Sequence, residues 1–431
     1  MKKRNIFVGA LMVCAMVGIT SCNELGAGYD NPIGSYMTVD EQVFVGVGKT
    51  VSINPSTISD GNVLYTSSDE TVATVDPHGN VTGHKCGAVQ ITASVEETKG
   101  YYASKAVSNV QVCVEDGEQL AIELKNQKDY GWISVPLAPD AKIELPNGLT
   151  LPASTVNFYS FDEDKPATIK VDRSFVIQNS FQLSYVNVDA SELTKPLIQL
   201  AKTGSESIYN IDYIEFYKVT VKDLKYQLID ANKETNCLVN NIYISNSVIG
   251  IDGTNKKPVI DFTQAGNYAY LSVYNSTIYA NPALAVAGGF IKTQSAKKIN
   301  DYFGMNQNTD IWYSTFYNIS YNQNFCTQVE NNKSWLNYNI YYNIFVNCGK
   351  KGELLKALGG NASNVQKNSS WWVNYNLFNF DGEETREQEL VGDYESADAM
   401  NSQYGVVKFK DAAKGDFTQS DTWVGDPRWT E

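Results

Sequence analysis

Residues 241–250 read NIYISNSVIG, residues 269–279 AYLSVYNSTIY and residues 309–319 TDIWYSTFYNI. Four more stretches share the pattern: SFQLSYVNVD (180–189), DYIEFYKVTV (212–221), YNIYYNIFVNC (338–348) and WVNYNLFNF (372–380). Anchored on Asn187, Lys218, Asn246, Asn275, Ser314, Asn343 and Asn376, they recur at intervals of 31, 28, 29, 39, 29 and 33 residues. A β-patterned unit of about 30 residues fits one rung of a parallel β-helix. Two and four residues before the anchor stand Tyr185/Leu183, Phe216/Ile214, Ile244/Ile242, Val273/Leu271 and Trp312/Asp310. That mostly apolar column is expected to face inward. One residue before the anchor stand Val186, Tyr217, Ser245, Tyr274, Tyr313, Tyr342 and Tyr375. Period two turns this column outward, as a tyrosine ladder with rungs ~4.8 Å apart. Asparagine at the anchor suits a tight bend, and stacked asparagines can pass hydrogen bonds between rungs. A string of immunoglobulin-like domains would instead need hairpin turns such as Asn-Gly, and none joins these units.

Upstream the pattern is different. Residues 37–115 alternate short β segments with turn signals, as in an all-β sandwich. The run SSDETVATVDPHGNVTGHKCGAVQITA, 67–93, carries a Val-Ala-Thr-Val strand, a Gly-Asn turn, a Val-Thr-Gly strand and a Gly-led strand ending Ile-Thr-Ala. It resembles the group 2 bacterial immunoglobulin-like family, whose domains serve as spacers or weak adhesive modules. Both histidines, His78 and His84, fall here, and His78 lies in an Asp-Pro-His-Gly-Asn turn, which points to a surface residue rather than a base or ligand. The chain therefore reads as all-β: an N-terminal immunoglobulin-like β-sandwich followed by a right-handed single-stranded parallel β-helix of roughly eight rungs.

The N-terminus sets the expected location. Lys2, Lys3 and Arg4 precede the apolar stretch Ile6 to Thr20, too short to span a bilayer. It ends in Ile19-Thr20-Ser21-Cys22, which resembles a bacterial lipobox. The expected division is a lipoprotein signal peptide over 1–21, a lipidated tether over 22–36, the immunoglobulin-like domain over 37–115 and the β-helix over 116–431. Cys22 is the expected lipidation site, anchoring the mature chain at the outer membrane and cell surface, with the periplasmic face left open.

Bulk properties narrow the function. A net charge of -14 argues against nucleic acid and against docking on anionic lipid. Beyond Cys14 and Cys22, the five cysteines are scattered without a CxxC pair, so they read as buried small residues or at most one disulfide. The ending GDFTQSDTWVGDPRW, 415–429, resembles that of a pectate-lyase-like β-helix family found in surface lipoproteins of Bacteroidetes polysaccharide-utilisation loci. The resemblance implies a polysaccharide partner, possible membership of an outer-membrane glycan-uptake complex, and no settled activity.

Catalytic residues are hard to find. A polygalacturonase-type hydrolase would need an Asp-Asp pair, a Gly-His-Gly and an Arg-x-Lys; only Asn308-Thr309-Asp310 has a counterpart here. A lyase needs a base and a sink for enolate charge, yet only Arg173, Arg386 and Arg428 lie in the β-helix region. The acidic run 381–398 lacks the carboxylate spacing of a cation loop, so no metal site and no cofactor are expected, with calcium kept as an alternative. Aromatic residues are the better signal, because sugar C–H faces pack on electron-rich rings. Tyr274, Tyr313, Tyr342, Tyr375, Trp335, Trp371 and Trp372 are the candidate glycan-binding residues, with no catalytic residue assigned. The expected role is capture of a polysaccharide, with a pectic glycan as one option. A lyase acting on a uronate-containing glycan is the alternative, and an adhesin or scaffold the third.

Overall fold

The computed structural model describes residues 32–127, 131–201, 208–231, 237–264, 266–286, 288–294, 296–328, 335–349, 370–380, 397–398, 402–419 and 424–430. Cys22, the signal segment and nearly all of the acidic run 381–398 lie outside them.

The N-terminal unit is a two-sheet sandwich. Strands Gln42–Gly46, Ser104–Cys113, Gly87–Val95 and Val63–Ser67 pair in that order, and Thr50–Ser52, Asn80–Gly83 and Ala73–Val75 form the facing sheet. Alternate residues Val89, Ile91, Val110 and Val112 are buried, as period two requires. His78 is exposed in its turn, where Asp76 Oδ1 accepts from the His78 and Asn80 backbone N–H groups at 2.8 and 2.9 Å.

From Trp132 onward every paired strand is parallel, in three sheets. Sheet 1 runs through ten strands: Trp132–Leu137, Thr155–Ser160, Phe181–Ser184, Tyr209–Tyr217, Cys237–Ser245, Asn267–Tyr274, Gln307–Trp312, Leu336–Tyr341, Ser370–Asn374 and Ala397–Asp398. Sheet 2 has ten, each following its sheet 1 strand around a corner, from Lys142–Glu144 to Gln403–Tyr404. Sheet 3 has six, from Phe175–Ile177 to Cys326–Gln328. Each strand hydrogen-bonds the equivalent strand of the next turn, which is a parallel β-helix. Ten strands in sheet 1 exceed the roughly eight rungs the repeat predicts. The extra rungs, led by WISVPL and TVNFYS, lack the tyrosine and asparagine corner by which the others are recognised.

Phe216, Ile214, Ile244, Ile242, Val273 and Leu271 are fully buried, in the inward column the sequence assigns them. Phenylalanines fill the wider sections: Phe316, Phe345 and Phe378 stack at 5.2 and 5.3 Å. Cys86, Cys113, Cys237, Cys326 and Cys348 are buried free thiols.

The first rung of the stack is covered. Helix α1, Gly117–Asn126, starts where the Asp116 carboxylate accepts from Gln119 N at 2.9 Å, and it buries Leu120 and Leu124, one turn apart. A Cβ on Gly117 would stand 1.9 Å from Glu144 O, so only glycine lets α1 lie this close to the first rung. Val114, just past the last sandwich strand, pairs with Leu137 of that rung, and Phe44 meets Phe161 edge-on at 5.3 Å. The sandwich is thus joined to the β-helix by backbone hydrogen bonds, where the sequence suggests a spacer.

The C-terminal segment folds back over sheet 2. Phe417 is buried against Tyr279, Tyr317, Phe409 and Trp429. The buried Asp426 carboxylate accepts from Thr277 Oγ1 at 2.7 Å and pairs with Arg428, which donates to Asn246 O at 2.5 Å and Ser247 O at 2.8 Å. Gly425 N donates to Tyr342 O at 2.7 Å, with φ of 89° that suits glycine. This strap ties four successive rungs together.

Candidate functional site

The corner from sheet 1 to sheet 2 fixes which side chains face out. Tyr185, Lys218, Asn246, Asn275, Tyr313, Tyr342 and Tyr375 all have φ between 47° and 58°, one residue per rung. The residue after each corner points inward. Ser247, Ser276, Ser314, Asn343 and Asn376 there accept the equivalent backbone N–H of the preceding rung at 2.8 to 3.2 Å. Asn343 Nδ2 also donates to Asn376 Oδ1 at 2.9 Å, so asparagine does pass hydrogen bonds between rungs, inside the coil.

This corrects the register drawn from the sequence. Asn246 and Asn275 are corner residues, but Ser314, Asn343 and Asn376 lie one position later. Tyr274 therefore pairs with Trp312, not Tyr313, and Trp312 with Tyr341. Trp312 and Asp310, assigned inward from the sequence, face outward, and Thr309 and Ile311 are the buried pair of that rung. The expected tyrosine ladder is two columns. Tyr313, Tyr342 and Tyr375 stack face to face at 4.9 and 5.1 Å, with planes 6° and 8° apart. Their faces cover one another, and Tyr274 meets Tyr313 edge-on at 6.2 Å.

The other candidates separate. Trp335 is partly buried against the core at the opposite edge of sheet 1, seven residues of extended chain, roughly 23 Å, from Tyr342. Trp371 pairs in register with buried Tyr338; its side chain lies outside the described residues. Trp372 is outward and 49% exposed.

Trp372 belongs to a larger surface, the outer face of sheet 1. Trp132, Tyr274 and Trp312 are also exposed there, at 55%, 41% and 42%. Trp132 reaches Tyr213 at 6.4 Å across small Thr155 and Ser180, Tyr243 meets Tyr270 at 6.1 Å, and Trp312 meets Tyr341 at 5.8 Å. Amides are interleaved: Asn337 donates to Asn308 at 2.8 Å, and Asn339 to Asp310 at 2.7 Å. Tyr270 OH donates to the other Asp310 oxygen at 2.7 Å. Shielded Asn157 Oδ1, Tyr213 OH and Asn374 Oδ1 have no hydrogen-bond partner among the described residues. Sequence reasoning missed Trp132, Tyr213, Tyr243, Tyr270, Trp312 and Tyr341. Matching Ser276-Thr277 with Ser314-Thr315 would have set the register and turned Trp312 outward.

Two carboxylates lie in the regular outward columns of this face, and a third, Asp212, is exposed on the strand of Glu215, where Asn240 donates to it at 3.2 Å. Glu215 is half-buried among Tyr213, Tyr217 and Tyr243, and burial raises its pKa. Asp310 is three rungs away along one column, through Tyr243 and Ser272, which is roughly 14 Å. Paired carboxylates in glycoside hydrolysis stand about 5 to 9.5 Å apart. Among the described residues no group of three or more histidine, cysteine or acidic side chains could hold a metal ion, and no helix is long and apolar enough to cross a membrane.

Sheet 2 offers less open surface, because Phe417 and the strap lie over Tyr279 and Tyr317. Among the described residues, sheet 1 is covered toward its entry edge, where Ile299 of α2, Lys297–Phe303, packs on Leu238 and Ala269.

A stretch of 92 residues, 20% of this chain, is 44% identical to part of a 3-O-alpha-D-galactosyl-alpha-L-arabinofuranosidase of Bifidobacterium longum subsp. longum. It covers 8% of that protein, so the chain spans less than a tenth of the relative it matches. Residues 38–105 match the model of the bacterial Ig-like domain (group 2) family. With the sandwich observed there, residues 38–105 are an immunoglobulin-like domain of that group.

Proposed function

We propose that this chain is a glycan-binding protein, held at the cell envelope by lipid on Cys22, with the outer face of sheet 1 as its binding surface. The observation that carries this reading is the set of exposed rings, Trp132, Tyr274, Trp312 and Trp372, on one open face interleaved with amides. Rings offer flat apolar platforms to sugar C–H faces, and amides and hydroxyls offer partners to sugar hydroxyls. The relative named as a glycosidase adds support for a carbohydrate connection. Binding is favoured over cleavage because Glu215 and Asp310, the carboxylates set among the rings, are too far apart to act as a pair.

The test is glycan affinity by calorimetry beside an ultraviolet assay for unsaturated uronate. Trp312→Ala and Trp372→Ala should each weaken binding roughly fivefold, the equivalent of about 1 kcal/mol per stacking contact, at an unchanged Tm. No unsaturated product should form. Turnover of a polyuronate that disappears in Glu215→Gln would make the chain a lyase instead.

A further inference from the structure

We propose that the ligand of the sheet 1 face is an uncharged polysaccharide rather than a polyuronate. This rests on the glycan-binding reading above and narrows it. Each strand between Trp132 and Trp372 shares three outward positions on this face, and the strand Tyr209–Tyr217 adds Asn210 and Asp212 beyond them. Their register is fixed by the pairing of consecutive rungs. Those three columns hold mainly tyrosine, tryptophan, asparagine, serine and threonine, and not one lysine or arginine. Their only ionisable acids are Glu215 and Asp310.

A polyuronate brings a carboxylate on every sugar. Proteins hold such groups with guanidinium, ammonium or a bridging cation, because a desolvated carboxylate needs a charged or multiple hydrogen-bond partner. Here it would meet two carboxylates of its own sign. The described cations at the rim are committed elsewhere. Lys218 Nζ pairs with Glu163 at 2.7 Å and lies over the rings of Tyr185 and Tyr217. Lys297 pairs with Asp301 on its own helix. Lys298 is half-buried on that same helix. Cation bridging would need a carboxylate cluster, and Glu215 and Asp310 are three rungs apart.

A neutral glycan meets no such conflict. Its hydroxyls can donate to Glu215, which no described group hydrogen-bonds.

The experiment is affinity electrophoresis of the full chain through gels containing arabinan, galactan or polygalacturonate, the last with and without calcium. Retention by a neutral gel is expected, lost in Trp312→Ala and changing less than about twofold between 50 and 500 mM NaCl, since no ion pair is screened. Retention by polygalacturonate that Trp312→Ala abolishes would overturn the inference and leave the glycan-binding face standing. Retention by none of the three would overturn both.

Discussion

Tyr313, Tyr342 and Tyr375 hold left-handed backbone conformations, which cost a side chain with a Cβ about 1 kcal/mol or more each. Face-to-face stacking along the corner offsets that cost. Tyr342 is the middle ring, with a neighbour on each side. Tyr342→Ala should therefore lose two aromatic contacts, roughly 2 kcal/mol, and lower the Tm while glycan affinity changes little. From sequence alone the same residue is a candidate glycan platform, and thermal melts beside binding isotherms separate the two roles. Asp230 gives a second test at this scale. Burial, and then the facing Asp261 carboxylate, raise its pKa to about 6. The folded chain thus holds a proton there that the unfolded chain releases near pH 4. Its contribution to stability falls as pH rises from about 4 to about 6, then levels off. Asp230→Asn should remove that decline, raising the Tm at pH 7.5 and not at pH 4.

At the scale of the elements, the buried column was legible because Leu183, Ile214, Phe216, Ile242 and Ile244 obey period two just before the corner; Tyr185, assigned inward with them, is itself a corner residue. The outward columns were not, because asparagine serves two purposes one residue apart. At Asn246 and Asn275 it tolerates the left-handed corner; at Asn343 and Asn376 it caps backbone inside the coil. Identity alone cannot say which, and a slip of one position exchanges core for surface. The strap was legible only as a motif. Its role follows from Asp426, fully buried and neutralised by Arg428. Arg428→Leu should leave that carboxylate unpaired, at a cost of about 3 to 5 kcal/mol. Hydrogen exchange should then quicken across Asn246, Ser247 and Thr277 as well as in the strap.

For the whole molecule, the sandwich is the lid of the coil. A parallel stack leaves an open row of backbone donors and acceptors at its first rung, the kind of edge that invites pairing with another chain. Val114 occupies part of that row through Leu137, and α1 covers the core beneath. A chain beginning at Gly131 should therefore self-associate. A chain beginning at Pro32 should elute as a monomer in size-exclusion chromatography with light scattering.

The strap also gives the molecule a sense of time. Asp426 and Arg428 seal rungs that left the ribosome some 150 to 180 residues earlier. Until Asp426 and Arg428 emerge, the rungs between Asn246 and Tyr342 can stack but lack the contacts that tie them to one another from outside. A copy cut short before Asp426 would look folded along most of its length, yet keep the protease sensitivity of an unfinished chain.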